Sequence, residues 1–262
     1  MPVNILFIGD IVGRPGRQAI SRDLHRLVDR HSVDLVIANW ENASGGFGIT
    51  PETAKELFAN GIQFITTGNH VWDKKECYEY LGREPRIVRP ANYPEGAPGR
   101  GSSTVETPGG IKIGILNLEG RIFMDNLECP FKTADREIAA LVQSTNIIIV
   151  DFHAEATSEK SSLGWYLDGR VTAVIGTHTH VQTADERVLP DGTAYISDAG
   201  MTGSFDSVIG VRKDEPIRKF ITQLPLKFEV AKKDIRINGV LLQVDETTGR
   251  TIAIERINVA CG

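Results

Sequence analysis

Apolar and polar residues alternate along the first part of the chain in blocks that predict strands and helices in turn. Short apolar runs with the length and composition of buried strands occur at 3–9, 34–39 and 62–68. Between them, apolar residues recur at helical spacing over 16–32, and a second helix is predicted over 50–61. Thr50 suits the cap of that helix, Pro51 its first position and Gly61 the position after its end. Strands that alternate with helices predict parallel pairing with helical crossovers.

The rest of the chain contains more strands than helices. Two β-like runs flank the turn residues at 108–110, which is a hairpin signal. A helix is predicted over 133–144, followed by buried strands over 146–154 and 170–178. From about Val188 onwards, including the stretch that begins "ITQLPLKFEV", the sequence is predicted to be strand-like. We therefore expect an α/β fold, a four-layer α-β-β-α sandwich in which two mixed sheets pack together with helices outside.

Composition narrows the class of protein. Hydrophobic residues make up 41% and charged residues 24% of the 262 residues, as in soluble globular proteins, and no linker or repeat divides a single expected domain, 1–262. The net charge of −5 gives no basic surface for long duplex nucleic acid. Three widely spaced cysteines argue against a disulfide framework and a thiolate zinc site. With no long apolar run, a cytoplasmic protein without a membrane partner is expected.

Polar residues with metal-binding or acid–base chemistry follow five successive strand predictions. They are Asp10, Glu41, Asn42, Asn69, His70, His153, His178 and His180. Ligands of open α/β sheets bind outside the carboxyl ends of parallel strands, where these residues would meet. His178 and His180 are two apart on an extended chain and so point the same way. The two remaining histidines, His25 and His31, fall on a polar helix surface and are assigned to solvent.

Each of these residues alone also has a structural explanation. An Asp or Asn after a strand is commonly a helix cap or an Asx-turn residue. His153 alone is more often a hydrogen-bonded core histidine than a ligand. The set as a whole favours a metal centre, because caps and turns do not require histidines at successive strand ends.

The motifs that contain these residues resemble those of the calcineurin-like metallophosphoesterase superfamily. The shared motifs are "GD" ending at Asp10, "GNH" ending at His70, an isolated strand-end His153, and "HTH" ending at His180. The chain departs from the usual pattern at four places, which are Val12, the segment "WEN" around Glu41, Val71 and Thr177. With the opening "FIGDIVGRPGR", these departures resemble the YmdB-like family of bacterial metallophosphoesterases. The resemblance implies 2′,3′-cyclic-nucleotide phosphodiesterase activity.

The resemblance also implies a ligand set for two metal ions. Glu41 would bridge them, Asp10, Asn42 and His180 would complete one site, and Asn69, His153 and His178 the other. Three imidazoles with carboxylate and amide oxygens suit iron, manganese or zinc better than calcium or magnesium. The resemblance favours iron, with Mn²⁺ or Zn²⁺ able to substitute. Two divalent ions with only two carboxylates leave the centre electropositive, as a phosphodiester requires.

The reaction expected of such a centre is attack on phosphorus by a metal-bridging hydroxide. His70 is expected to donate a proton to the departing ribose oxygen, although it would also suit a role in orienting the phosphate. A broader phosphatase or nuclease, and a nucleotide-sensing regulatory protein with little turnover, are the alternative functions.

Two segments of the sequence are candidates for substrate binding, and each also has an alternative structural role. The glycine-rich segment 41–48 would suit either an anion nest or a flexible turn. Trp165 and Tyr166 would either stack a base or, as is commoner for such aromatics, pack a helix onto the sheet. The residues do not separate a cyclic nucleotide from other phosphate esters, and the expected small phosphodiester partner rests on the resemblance. A homo-oligomer is the other partner considered, because the strand-rich C-terminal third either closes the domain or presents an edge.

Overall fold

The computed structural model describes residues 2–261. Its strands are β1 Pro2–Ile8, β2 Asp10–Ile11, β3 Leu35–Asn39, β4 Phe64–Thr66, β5 Ser102–Glu106, β6 Lys112–Glu119, β7 Ile148–His153, β8 Ala173–Thr177, β9 Arg187–Val188, β10 Ala194–Ile196, β11 Met201–Ser204, β12 Ile235–Asp245 and β13 Thr251–Ala260. Its helices are α1 Gly13–His31, α2 Pro51–Ala59, α3 Cys77–Arg83, α4 Pro130–Leu141, α5 Thr157–Tyr166 and α6 Asp214–Thr222, and a 3₁₀ turn spans Asn69–Trp72.

The strands form two mixed sheets. In the first, the order is β2-β11-β12-β1-β3-β4, and β13 also pairs with β12. In the second, the order is β5-β6-β7-β8-β10-β9. β1, β3 and β4 run parallel to one another, as do β6, β7, β8 and β10. Each sheet therefore gathers the carboxyl ends of several strands at one edge, which is where the predicted site residues follow.

Three apolar clusters separate the layers. Alternate residues of β1 point to opposite faces of its sheet, so Leu6 packs with Leu24 of α1 on the outside. Phe7 instead lies between the sheets, together with Ile149 of β7. On the outer face of the second sheet, residues such as Leu163 of α5 pack in a third cluster. The order of layers is thus helix, sheet, sheet and helix, which confirms the predicted α-β-β-α sandwich of two mixed sheets.

The helix at Thr50 begins as the sequence predicts. The Thr50 side chain accepts a hydrogen bond from the backbone N–H of Thr53, and the Thr53 hydroxyl group in turn accepts one from the backbone N–H of Thr50. This capping box pairs donors that would otherwise be free at a helix start. α1 begins at Gly13, three residues before the predicted start at 16.

The C-terminal third differs from its prediction at one element. A helix, α6, occupies Asp214–Thr222, and residues 223–229 have no regular structure, so the strand predicted at "ITQLPLKFEV" is wrong there. Its alternating apolar residues resemble a strand, but Pro225 lacks a backbone donor for a sheet. Asp214 and Glu215 at the helix start favour α6 through the helix dipole. None of the helices within 2–261 combines the length and apolar character needed to cross a bilayer.

Candidate metal centre

The predicted site residues lie together at the carboxyl ends of strands from both sheets. Those of the first sheet follow β1, β3 and β4, and those of the second end β7 or follow β8; they are Asp10, Glu41, Asn42, Asn69, His153, His178 and His180. Each contacts at least one other member, as described below. The structure therefore brings all seven residues into one cluster, and their roles as metal ligands remain a prediction.

His153 lies at the centre of this cluster. Its Nε2 is 3.1 Å from Glu41 Oε1, 3.1 Å from Asn69 Oδ1 and 3.1 Å from His178 Nδ1. Within residues 2–261, Glu41, His153 and His178 form a group whose possible ligand atoms all lie within 4.8 Å of one another. Four groups that carry lone pairs converge here, and such a convergence suits a shared cation better than hydrogen bonds among themselves.

The other predicted ligands, Asp10, Asn42 and His180, adjoin the same group. The Asn42 amide nitrogen is 3.0 Å from Glu41 Oε1 and 3.0 Å from His180 Nε2. A half-turn of this amide would place its oxygen there instead. Asp10 is fully buried, and its Oδ2 accepts a hydrogen bond of 3.2 Å from the His178 backbone N–H. Asp10 Oδ1 has no hydrogen-bond partner in the described part of the chain, as a ligand oxygen would when its metal ion is absent.

The three imidazoles are each held at one ring nitrogen. His153 Nδ1 is 2.8 Å from the Thr177 hydroxyl, which itself donates to Asp151. His178 Nε2 lies 3.1 Å from a Glu155 carboxylate oxygen. His180 Nδ1 is 2.9 Å from the carbonyl oxygen of residue 209. Each acceptor fixes a proton on one nitrogen, so when the ring is neutral the other nitrogen presents a lone pair to the cluster, as in metal-binding histidines.

The electrostatics of the cluster also fit a cation. Burial opposes ionisation of the Glu41 carboxyl, yet His153 lowers its pKa to about 2. Burial likewise opposes protonation of His153, but Glu41 and Asp10 raise its pKa to about 9. Burial lowers the pKa of His178 to about 3, which keeps this imidazole neutral. Positive charge is thus favoured at this point between the two carboxylates, and the residues present fit a metal ion.

The loop that carries His178 and His180 has a strained backbone. The φ angles are +99° at His178 and +66° at His180, a region that side chains with a Cβ rarely adopt. The Asp198 carboxylate holds the loop, because it accepts hydrogen bonds from the Thr179 backbone N–H at 3.0 Å and the Thr179 hydroxyl at 2.7 Å. Asp198 is itself paired with the buried ammonium of Lys160 at 2.8 Å.

The backbone approaches the cluster closely at Gly68. A Cβ at this position would overlap the imidazole of His153 and the Oε2 atom of Glu41. Glycine is needed here for close approach and not for a left-handed conformation, because φ is −161°. The "GNH" motif therefore supplies space for the ligands as well as Asn69.

His70 lies beside the cluster and not inside it. Its Nδ1 is 2.9 Å from Asp73 Oδ2, and its backbone N–H donates to Glu41 Oε2 at 3.1 Å. The His70 ring packs edge-to-face against Phe47, with ring centroids 5.3 Å apart. The imidazole also lines a cavity of about 610 Å³, together with Glu41 and His178. This position suits exchange of a proton with a molecule in the cavity.

The two candidate substrate-binding segments differ in their position relative to this cavity. The turn after β3 is closed by a hydrogen bond of 3.0 Å from the Ser44 N–H to the Gly48 carbonyl oxygen, and Gly46 lines the cavity. Its role as an anion nest remains a prediction. Trp165 and Tyr166 are half exposed and do not line the cavity, and the Tyr166 hydroxyl donates to Asp135. The base-stacking alternative for these two aromatics therefore has no nearby site.

Several residues that support the site were not identified from the sequence. Asp73, Glu155 and Asp198 hold His70, His178 and the loop at Thr179, respectively. Glu119 ends β6 opposite His153, and burial raises its pKa to about 7. For Glu119, the signal was available, because it follows the same strand-end rule as the predicted ligands. Glu155 and Asp198 each follow a strand end by two residues and had the same signal, whereas Asp73 follows the 3₁₀ turn and did not.

Comparison with known proteins gives consistent matches over almost the whole chain. A family model described as "YmdB-like protein" matches residues 6–257. A protein of Bacillus subtilis (strain 168) named "2′,3′-cyclic-nucleotide 2′-phosphodiesterase" is 47% identical over 97% of this chain and 96% of its own length.

Solved structures show the same fold. The crystal structure of a hypothetical protein from Thermus thermophilus has a TM-score of 0.90 and 42% sequence identity, covering 98% of this chain and 99% of that one. The crystal structure of a protein described as a novel phosphatase, from Mycoplasma pneumoniae, has a TM-score of 0.93 and 37% identity, covering 99% and 94%.

Proposed function

Because the chain belongs to the YmdB-like family, we propose that it is a metal-dependent phosphoric diester hydrolase whose substrates are 2′,3′-cyclic nucleotides. The observation that carries this proposal is the convergence of Glu41, Asn69 and His178 on His153 Nε2, each at 3.1 Å. The name of the 47% identical relative supports the substrate class.

The cluster is proposed to hold two metal ions. Glu41 would be shared by both ions. Asp10, Asn42 and His180 would complete one site, and Asn69, His153 and His178 would complete the other. Iron is the proposed metal, with manganese or zinc as substitutes, because the set mixes imidazoles with oxygen ligands. The chemistry that the cations supply when bound is Lewis acidity, which lowers the pKa of an attacking water and stabilises charge on the phosphoryl oxygens.

The protein's own residues orient the predicted ligands and supply the proton for the leaving group. The acceptors at Thr177, Glu155 and residue 209 keep three imidazoles in the tautomers that ligands require. Asp73 holds His70 Nδ1, so the proton that His70 donates to the departing ribose oxygen would come from Nε2. Cleavage of the P–O2′ bond leaves a nucleoside 3′-phosphate, and the oxygen from water ends on phosphorus.

The test is product analysis with metal-loaded protein. 2′,3′-cyclic AMP, 3′,5′-cyclic AMP and p-nitrophenyl phosphate are incubated separately, and the products are separated by chromatography. Adenosine 3′-monophosphate formed from the 2′,3′-cyclic substrate in clear preference to the others is the expected result. The His178→Ala variant, which lacks a predicted ligand, should form little product.

Other outcomes identify the alternative functions. Preferential hydrolysis of p-nitrophenyl phosphate would indicate a phosphatase. Cleavage of RNA oligomers without cleavage of cyclic nucleotides would indicate a nuclease. Binding of 2′,3′-cyclic AMP without turnover would indicate a sensor and contradict the proposed activity.

A further inference from the structure

The cavity beside the metal centre has two chemically different sides. One side is formed by predicted ligands and His70. The other is formed by α6 and its flanking segments, whose apolar lining residues are Val208, Ile209, Val211, Pro216, Phe220 and Phe228. Phe47 completes the apolar lining from the turn after β3. We call Phe47, Phe220 and Phe228 the aromatic wall.

The aromatic wall is not explained by packing of the fold. Phe220 is 76% exposed and Phe47 is 41% exposed, and neither belongs to the three apolar clusters of the interior. A large apolar side chain that stays in water next to an ionic centre is typical of a ligand-binding surface. A cavity of about 610 Å³ is the size of a small-molecule site.

We propose that the aromatic wall is the subsite for the nucleobase of the substrate, an inference that rests on the proposed function. In a 2′,3′-cyclic phosphate both ester oxygens belong to one ribose, so a single base extends away from the phosphorus. His70 contacts Phe47, with ring centroids 5.3 Å apart, so a ribose oxygen that takes a proton from His70 lies next to the wall. The base of the same nucleoside then reaches the aromatic side chains.

The residues of the aromatic wall favour stacking against the base over hydrogen bonds to the edges of the base. From α6 and the segment after it, the polar residues that line the cavity are Lys219 and Gln223. The Gln223 amide already donates to the Phe220 carbonyl oxygen at 3.0 Å, and the Lys219 ammonium lies 5.2 Å from the centre of the Phe228 ring. Stacking on aromatic side chains accepts every base, because each has a π-face. All four bases should therefore be accepted, with purines favoured by their larger rings.

The first experiment compares substrates with and without a base. kcat/KM is measured for 2′,3′-cyclic AMP and for glycerol 1,2-cyclic phosphate, which has the same five-membered ring and no base. In Phe220→Ala, the ratio of the first value to the second should fall about tenfold, the size of one lost stacking contact. Phe220→Trp should retain the ratio.

A matched control lies next to Phe220 on the same helix. Ile221 is 77% exposed and does not line the cavity, so Ile221→Ala should leave the ratio at its wild-type value. An equal loss for both substrates in Phe220→Ala, or no loss for either, would overturn the proposal. An equal fall of the ratio in Ile221→Ala would also overturn the proposal, because the effect would then come from a disturbed helix and not from the aromatic wall.

The second experiment does not need turnover. The Kd values of adenosine 3′-monophosphate and of inorganic phosphate are measured by calorimetry with metal-loaded wild type and Phe220→Ala. The adenosine 3′-monophosphate Kd should rise about tenfold in the variant relative to the phosphate Kd. If wild type hydrolyses neither cyclic phosphate, the proposed function fails while this measurement still tests the wall. Equal binding of adenosine 3′-monophosphate to both proteins would show that the wall is not a base subsite.

Discussion

At the scale of single residues, the ligands and the groups that orient them differ in how far they can be predicted. The predicted ligands follow strand ends, so their positions in the sequence already place them at one edge of a sheet. The same rule applies to Glu155 and Asp198, which follow β7 and β10 by two residues, but it does not say whether such a residue is a ligand or an acceptor. Asp73 closes a 3₁₀ turn and has no comparable signal. Only the packed structure shows which group each one contacts.

Gly68 gives a test of the close approach to the cluster. A methyl group in Gly68→Ala would displace the imidazole of His153 or the Glu41 carboxylate. We expect metal content, measured by mass spectrometry, to fall well below that of wild type, and kcat for 2′,3′-cyclic AMP to fall at least a hundredfold.

The matched control is Gly82→Ala in α3. A Cβ at Gly82 meets no atom within 4 Å, and Ala is favoured over Gly inside a helix by about 0.5–1 kcal/mol. This variant should keep its metal and unfold at a slightly higher temperature. Full metal content and activity in Gly68→Ala would show that the cluster tolerates displacement.

The proton-donor role of His70 predicts a dependence on the leaving group. His70→Asn should lower kcat for 2′,3′-cyclic AMP about a hundredfold, the usual contribution of a general acid. The loss should be far smaller for bis(p-nitrophenyl) phosphate, since p-nitrophenolate leaves without a proton. Metal content should stay at the wild-type value, because His70 is not among the predicted ligands. Equal losses for the two substrates would assign His70 to phosphate orientation.

At the scale of elements, α5 supports the ligand loop through one buried ion pair. Lys160 of α5 and Asp198 are each about 1% exposed, and Asp198 in turn binds Thr179 between the two loop histidines. Removing one partner of a buried pair leaves the other charge buried without its ionic partner. The helix therefore supports the loop that carries two predicted ligands without contributing one itself.

The Lys160→Met variant measures this support. It should lower the free energy of unfolding by about 3–5 kcal/mol in urea denaturation, because the Asp198 charge stays buried. Arg83→Ala is the control, since it removes an exposed pair with Glu79 in α3 and should cost no more than about 0.5 kcal/mol. Losses of similar size in the two variants would contradict the importance of burial.

The elements themselves were predictable where the sequence has one clear apolar pattern and were missed where patterns compete or the element is short. β1, β3 and β7 have continuous apolar runs, and their positions and type were predicted. α6 was missed although the apolar residues at 217, 220, 221 and 224 recur at helical spacing, and only Pro216 of this nine-residue helix is buried. The alternation of Leu224, Leu226 and Phe228 directly after the helix resembles a strand, so the sequence contains two competing patterns here.

At the scale of the whole molecule, the predicted ligands are divided between the two sheets. Asp10 and Glu41 belong to the first sheet, whereas His153 and His178 belong to the second. A cation held by both groups would link the sheets across their shared apolar layer. Binding to the native state alone also stabilises it by mass action.

Metal loading should accordingly raise Tm. At a free metal concentration a hundredfold above Kd, the gain is about 2.7 kcal/mol, or roughly 5–10 °C for a chain of this length. Scanning calorimetry of metal-free and Mn²⁺-loaded protein measures it. The rise should be much smaller in His178→Ala and unchanged in His25→Ala, which removes an exposed histidine of α1. An undiminished rise in His178→Ala would place the bound metal elsewhere.

The left-handed backbone at His178 implies that the imidazole is placed there at the expense of folding stability. A side chain at a φ of +99° raises the energy of the folded state by roughly 1–2 kcal/mol, which glycine would not. Metal-free His178→Gly should thus melt at a higher temperature than metal-free His178→Ala, the reverse of the usual order for these two residues. Folding stability alone would favour glycine at this turn, so the imidazole there fits the role of His178 as a predicted ligand.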